Sequence, residues 1–112
     1  MTATRPGVDA MEVHALITEA LGATGVLPPH ARLAELDEQL REEINRLIPI
    51  VRDKSDHTEL RSRDWYALQQ AADHAEDSLT YKLDEQPLAG ALHVAELARR
   101  LCALQQAEGA KA

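Results

Sequence analysis

The chain has 112 residues and a formal net charge of -7, long enough for one domain with a modest core that needs no metal or disulfide. So acidic a balance excludes nucleic-acid phosphates and anionic membrane surfaces as main partners, because both require a cationic contact face. Cys102 is the single cysteine, which excludes an intramolecular disulfide and a thiolate metal site.

Ala and Leu dominate, Phe is absent, and Trp65, Tyr66 and Tyr81 are the only aromatics. That balance predicts an all-α fold, since β-branched and aromatic residues are what strands need. No apolar run approaches the ~18 residues of a membrane span. The segment Met1 to Asp9 has no apolar signal core, so a cytoplasmic protein is expected.

Residues 1–8 read as a disordered lead-in to a single helical domain spanning 1–112. Asp9 followed by Glu12 predicts a capping box for a first helix. Val13, Leu16, Ile17, Ala20 and Leu21 form its stripe, and Gly22 stops it. Val26 and Leu27 in the following loop are expected to plug one end of the bundle. Pro29 then leads in helix 2, where a missing N–H does no harm. Its apolar residues recur at Leu33, Leu36, Leu40, Ile44, Leu47, Ile48 and Val51, threes and fours that line up only on a helix. Pro49 lies inside that stripe, and its ring meets the carbonyl of Asn45, so a kink or an end is expected there.

Arg52 to Glu59 contains no apolar residue and predicts a solvated loop. Ser62 is the preferred cap of helix 3, which carries Trp65, Leu68, Ala72, Ala75 and Leu79 and is expected to end near Leu83. Pro87 opens helix 4, which runs to about Gln106. Two stripes mark it: Leu88, Ala91, Ala95, Ala98 and Cys102 on one side, His93, Leu97, Leu101 and Leu104 on another. A helix apolar on two sides is central or shared, and the expectation is a small four-helix bundle whose helix 4 is shared in a homodimer. The tail 108–112 is expected to fray.

The five histidines stand apart from one another, without zinc spacing or an HExxH motif, so no metal is expected. His74 falls on a polar face, whereas His14 borders the apolar stripe of helix 1, where burial or a carboxylate would tune it. Glu12, Glu19, Glu42, Glu43, Asp73, Glu76 and Asp77 read as solvated faces, with Asp37–Arg41 and Glu42–Arg46 as i,i+4 pairs. The densest functional stretch is Arg61-Ser62-Arg63-Asp64-Trp65-Tyr66. As a helix start, it gains from an acidic residue near the dipole and from Trp65 entering the core. As a site, its guanidiniums hold carboxylates and its rings pack a ligand.

Leu27-Pro28-Pro29, Leu36-x-x-x-Leu40-Arg41-x-x-Ile44-x-x-Leu47-Ile48-Pro49-x-Val51, Asp64-Trp65-Tyr66 and His93-Val94-x-x-Leu97-Ala98-Arg99-x-Leu101-x-x-Leu104 follow in an order that resembles a large actinobacterial family. Its members are small helical proteins of unassigned function that tend to sit in natural-product gene clusters. The similarity spans roughly residues 12–106 and rests mostly on core-type positions. This chain departs from it at Glu42-Glu43, where relatives usually have Gly-His. Among small helical proteins of that setting, the chain also looks like the lysinoalanine-forming proteins of the duramycin and cinnamycin lantibiotic pathways.

That resemblance implies a peptide cyclase without cofactors, which adds a lysine amine across a dehydroalanine of a dehydrated, thioether-bridged peptide. Such an addition needs an uncharged amine, a stabilised enolate oxygen and a proton for the α-carbon. The candidates are His14 as acid or base, Asp64 as base or amine anchor, and Arg61 and Arg63 as carboxylate or enolate anchors. Trp65 and Tyr66 would be packing surfaces, with His93 near the dimer seam. The alternative is a non-catalytic, dimeric accessory that presents helix 4 or the 52–64 stretch to a larger biosynthetic enzyme. A regulator of such a cluster fares worst, for want of a basic recognition helix.

Overall fold

A computed structural model describes residues 10–109. Asp9, and with it the predicted capping box, lies outside the described residues, as do the expected tails at 1–8 and 110–112. The architecture is all-α, with α1 (Ala10–Leu21), α2 (His30–Asp56), α3 (Arg63–Ser78) and α4 (Pro87–Gly109).

Helix α2 is the spine. Leu33, Leu36, Leu40, Ile44, Leu47, Ile48 and Val51 are all buried, as their spacing predicts. Helices α2 and α4 pack on each other and on both other helices, whereas α1 and α3 do not touch. Each of the outer helices therefore leans on a central α2–α4 pair. That arrangement accounts for the two stripes of α4, which makes it a central helix. Leu97, Leu101 and Leu104 are at most 1% exposed, so packing within one chain already buries these leucines. Ala91, Ala95 and Ala98 are buried as expected, but Leu88 is 54% exposed.

Pro49 does not end α2, which continues to Asp56. Pro49 and Asn45 both face solvent, so the Asn45 carbonyl that loses an N–H partner lies on the side where water can donate to it. Buried Leu47, Ile48 and Val51 hold the backbone on the opposite side. The expected loop from Arg52 is instead helical as far as Asp56, nearly one and a half further turns, fastened by polar contacts. Arg52 donates to Asp73 and Glu76 of α3 at 3.0 and 2.9 Å. The hydroxyl of buried Ser55 accepts from Gln69 at 2.8 Å. Lys54 Nζ donates to the Ala107 and Glu108 carbonyls at 3.0 Å, closing the C-terminal end of α4 with a cation where the helix dipole favours one.

Three smaller expectations are also corrected. Val26 and Leu27 are exposed rather than plugging an end, and Ala23 is buried instead. Helix α3 stops at Ser78, earlier than Leu83. Arg46 pairs with Glu43 rather than Glu42, its Nε reaching both carboxylate oxygens at 2.9 and 3.1 Å. Glu43 is only 4% exposed, so it is a buried, paired carboxylate and not a solvated one. Ser62 caps α3 as predicted, accepting from Trp65 N at 3.1 Å.

Candidate functional site

A turn joins α3 to α4 over residues 79–86, and two side chains of α2 hold it in place. Arg41 is fixed by Asp37, one helical turn earlier, at 3.0 Å. From there it donates to the Leu79 carbonyl at 2.8 Å and to the Tyr81 carbonyl. These acceptors lie just past the end of α3, where helix carbonyls lack partners of their own. The spacing had shown the Asp37–Arg41 pair. That it reaches across to another element follows only from how the helices pack.

Asp37 also meets α4. His93 Nε2 lies 2.7 Å from Asp37 Oδ1, so this nitrogen carries the proton that the carboxylate accepts. The Arg41 guanidinium is 3.4 Å from the same nitrogen, but two donors form no hydrogen bond. In the neutral ring Nδ1 is then the acceptor. The His93 side chain is 11% exposed, held by the carboxylate of another helix.

A groove of about 530 Å³ opens beside this cluster, lined by His74, Asp77 and Ser78 of α3, by Tyr81, Lys82 and Asp84 of the turn, and by α4 residues from Ala89 to Arg100 that include Leu92, His93 and Glu96. Its size falls within the roughly 300–1,000 Å³ of ligand pockets. Some of its charges are already engaged: Glu96 binds Arg100 at 2.7 Å and Arg99 at 3.2 Å. The side chains of His74, Asp77, Tyr81 and Lys82 bond nothing among the described residues. Tyr81 and Leu92 add exposed apolar surface, 61% and 52%. The turn is packed tightly on α4 at Gly90, where a Cβ would come within 3.1 Å of the Asp84 carbonyl and of Leu33 Cδ1.

Of the residues singled out from sequence, His93 lines this groove and the others do not. His14 is exposed on α1 and Asp64 is exposed at the start of α3. Because α1 and α3 do not touch, these two do not form an acid–base pair within one chain. Arg61, Arg63, Asp64, Trp65 and Tyr66 stay together at the α2–α3 corner, with the Trp65 and Tyr66 rings edge-to-face at 5.0 Å. Trp65 is half-buried there and Tyr66 is exposed.

Sequence reasoning missed the groove-lining Asp77, Tyr81, Lys82, Asp84, Glu96 and Arg100. One signal pointed that way, a histidine in an apolar stripe of α4, which demands a polar partner from another helix. Cys102 is half-buried, and desolvation raises its thiol above the usual range, which makes it a poor nucleophile. Among the described residues, no three His, Cys, Asp or Glu side chains gather as a metal site would require. No described helix is long and apolar enough to cross a membrane.

Residues 11–110 match the model of a family of unknown function, DUF6415. No curated protein and no solved structure matches the chain.

Proposed function

The chain belongs to the DUF6415 family, and from the geometry of its groove we propose that it is a helical binding module that takes up a modified peptide between α3 and α4. One observation carries this reading: an open groove beside the Asp37–His93 contact, in which His74, Asp77, Tyr81 and Lys82 have no partner of their own. Polar groups of both signs beside exposed Tyr81 and Leu92 suit a ligand with amide, amine and carboxylate groups on an apolar frame. The resemblance to natural-product proteins makes a dehydrated, thioether-bridged peptide the first ligand to test. Titrated into the labelled protein, that peptide should shift the resonances of His74, Tyr81, Lys82 and His93. Shifts confined to other faces, or none at all, would exclude the groove as its site.

A second reading is favoured by the Asp37–His93 contact itself. A neutral imidazole with its Nε2 proton held by a carboxylate accepts at Nδ1, as a general base does. In lysinoalanine formation the lysine nitrogen bonds to the β-carbon of dehydroalanine, and the alkene pair moves onto the carbonyl as an enolate. The amine proton passes to His93 Nδ1 and from there to the α-carbon, so mass is unchanged. Lys82 or Arg100 is the cation for the enolate. This moves the acid–base role from His14 and Asp64 to His93. Incubation with a peptide that carries both lysine and dehydroalanine should close the ring and remove its reactivity toward added thiol. Ring closure no faster than in buffer removes the catalytic reading and leaves binding intact, and closure equally fast with His93→Gln removes His93 as the base.

A further inference from the structure

The corner where α2 turns into α3 presents a surface that the groove does not use. Arg32, Arg41, Arg46, Arg52, Arg99 and Arg100 each bond a carboxylate of the chain. Among the described residues, Arg61 and Arg63 are the arginines that bond nothing. Carboxylates are not scarce, since Asp and Glu outnumber Lys and Arg by 19 to 12. Glu59 and Asp64 flank the two guanidiniums in sequence and still pair with neither.

Apolar side chains flank these free cations in sequence. Leu60 is 68% exposed and Tyr66 51%, and the ring of half-buried Trp65 stands edge-on to that of Tyr66. Arg61 has a φ of 67°, in the left-handed region that a non-glycine residue rarely adopts. Arginine, tyrosine and tryptophan are the residues that dominate binding energy at protein–protein contacts.

We infer that the Leu60–Tyr66 corner docks a short segment of a protein partner in which carboxylates flank an apolar side chain. Charge complementarity selects that occupant. The guanidiniums fit carboxylates in bidentate geometry, and Leu60 and Tyr66 cover the side chain between them. A phosphate polymer or a second whole copy would meet the net charge of -7 at long range, whereas a short segment needs only the local contact. On α3, Tyr66 of this corner and His74 of the groove are eight residues apart, about 12 Å along the helix, room enough for a short segment on each. Both surfaces can therefore be occupied at once.

The test uses the full chain and a fluorescent peptide of alternating glutamate and leucine, with lysine–leucine and glutamate–serine peptides for comparison. The glutamate–leucine peptide should bind best and weaken as salt is raised. It should shift the resonances of Leu60, Trp65 and Tyr66 and leave Tyr81 and His93 unmoved, which separates this docking from groove binding. An Arg61→Ala/Arg63→Ala variant should melt at the same temperature and bind about tenfold more weakly. Tyr66→Ser should weaken binding with the charges intact. Equal affinity for the lysine–leucine peptide, unchanged affinity in either variant, or shifts at the groove or at Arg99 and Arg100 would overturn the inference. So would stronger binding to phosphatidylserine vesicles that the arginine variant abolishes, since a membrane would then be the partner.

Discussion

Arg41 is the side chain on which the groove wall depends. Its guanidinium joins Asp37 of its own helix to the Leu79 and Tyr81 carbonyls of the turn. Arg41→Met keeps the apolar stem but leaves those carbonyls without their donor and the Asp37 carboxylate with His93 alone. A loss of about 1–2 kcal/mol is expected, since water reaches the Tyr81 carbonyl but not all of the cluster. Denaturant unfolding gives that figure, and amide exchange should quicken in residues 79–86 first. If exchange there is unchanged, packing rather than Arg41 holds the turn. Gly90 makes the same point from the other side: with the Asp84 carbonyl and Leu33 Cδ1 3.1 Å from its missing Cβ, Gly90→Val should destabilise by about 2 kcal/mol and displace the turn. Local sequence showed the Asp37–Arg41 pair through its i,i+4 spacing. It could not show that the pair's second role is to close another helix's end, because that acceptor is 38 residues away.

Helix α2 separates what periodicity reveals from what it hides. Its core positions were legible, because an apolar residue every three or four positions has one helical solution. Its end was not. Arg52, Lys54 and Ser55 replace the apolar stripe with hydrogen bonds to α3 and to the end of α4, and a polar stretch with distant partners reads locally as a loop. Pro49 left a kink and an end as alternatives for a related reason, since its cost depends on which side of the helix it occupies, and the end is the one that α2 does not show. On the solvent side it sacrifices one backbone bond without disturbing the core. Pro49→Ala should therefore restore that bond and raise stability by about 1–3 kcal/mol, measurable as a higher melting temperature. A lower one would mean that α2 must be bent at this point to meet α3 and α4 together. The candidate site was less legible than the fold because the end of α3, a turn and one face of α4 build it together, and no single stretch carries more than half of its residues. Residue type drew attention to Arg61–Tyr66, which is one contiguous surface, and to His14 and Asp64, which the fold keeps on helices that do not meet.

At the scale of the whole molecule, the bundle is a central pair with two unequal wings, and α1 is the lesser wing. It has 12 residues, packs on α2 and α4 without touching α3, and buries Val13, Leu16, Ile17 and Ala20. Glu19 adds a polar clip to α2, accepting from Arg32 Nε at 2.6 Å. That hydrogen bond, helped by the guanidinium's charge and opposed by slight burial, holds the Glu19 carboxyl below its ordinary value. In the unfolded chain the group titrates near 4.3, roughly as in a free peptide. A carboxylate whose folded value is depressed contributes its full stability above the unfolded value and loses it as pH falls through the folded one. Acidification below about pH 4 should therefore loosen α1 ahead of the α2–α4 pair, with faster amide exchange in residues 11–21 while Leu36 to Val51 stay protected. Glu19→Gln should remove this part of the acid sensitivity, and added salt should shrink it, because the pair is partly exposed. If α1 exchanges only with global unfolding, or if Glu19→Gln leaves the acid limb unchanged, its apolar stripe alone carries the wing. Since His93 and the groove lie on the α3 side of α4, release of α1 should leave ligand uptake there measurable, so the two wings can be tested separately.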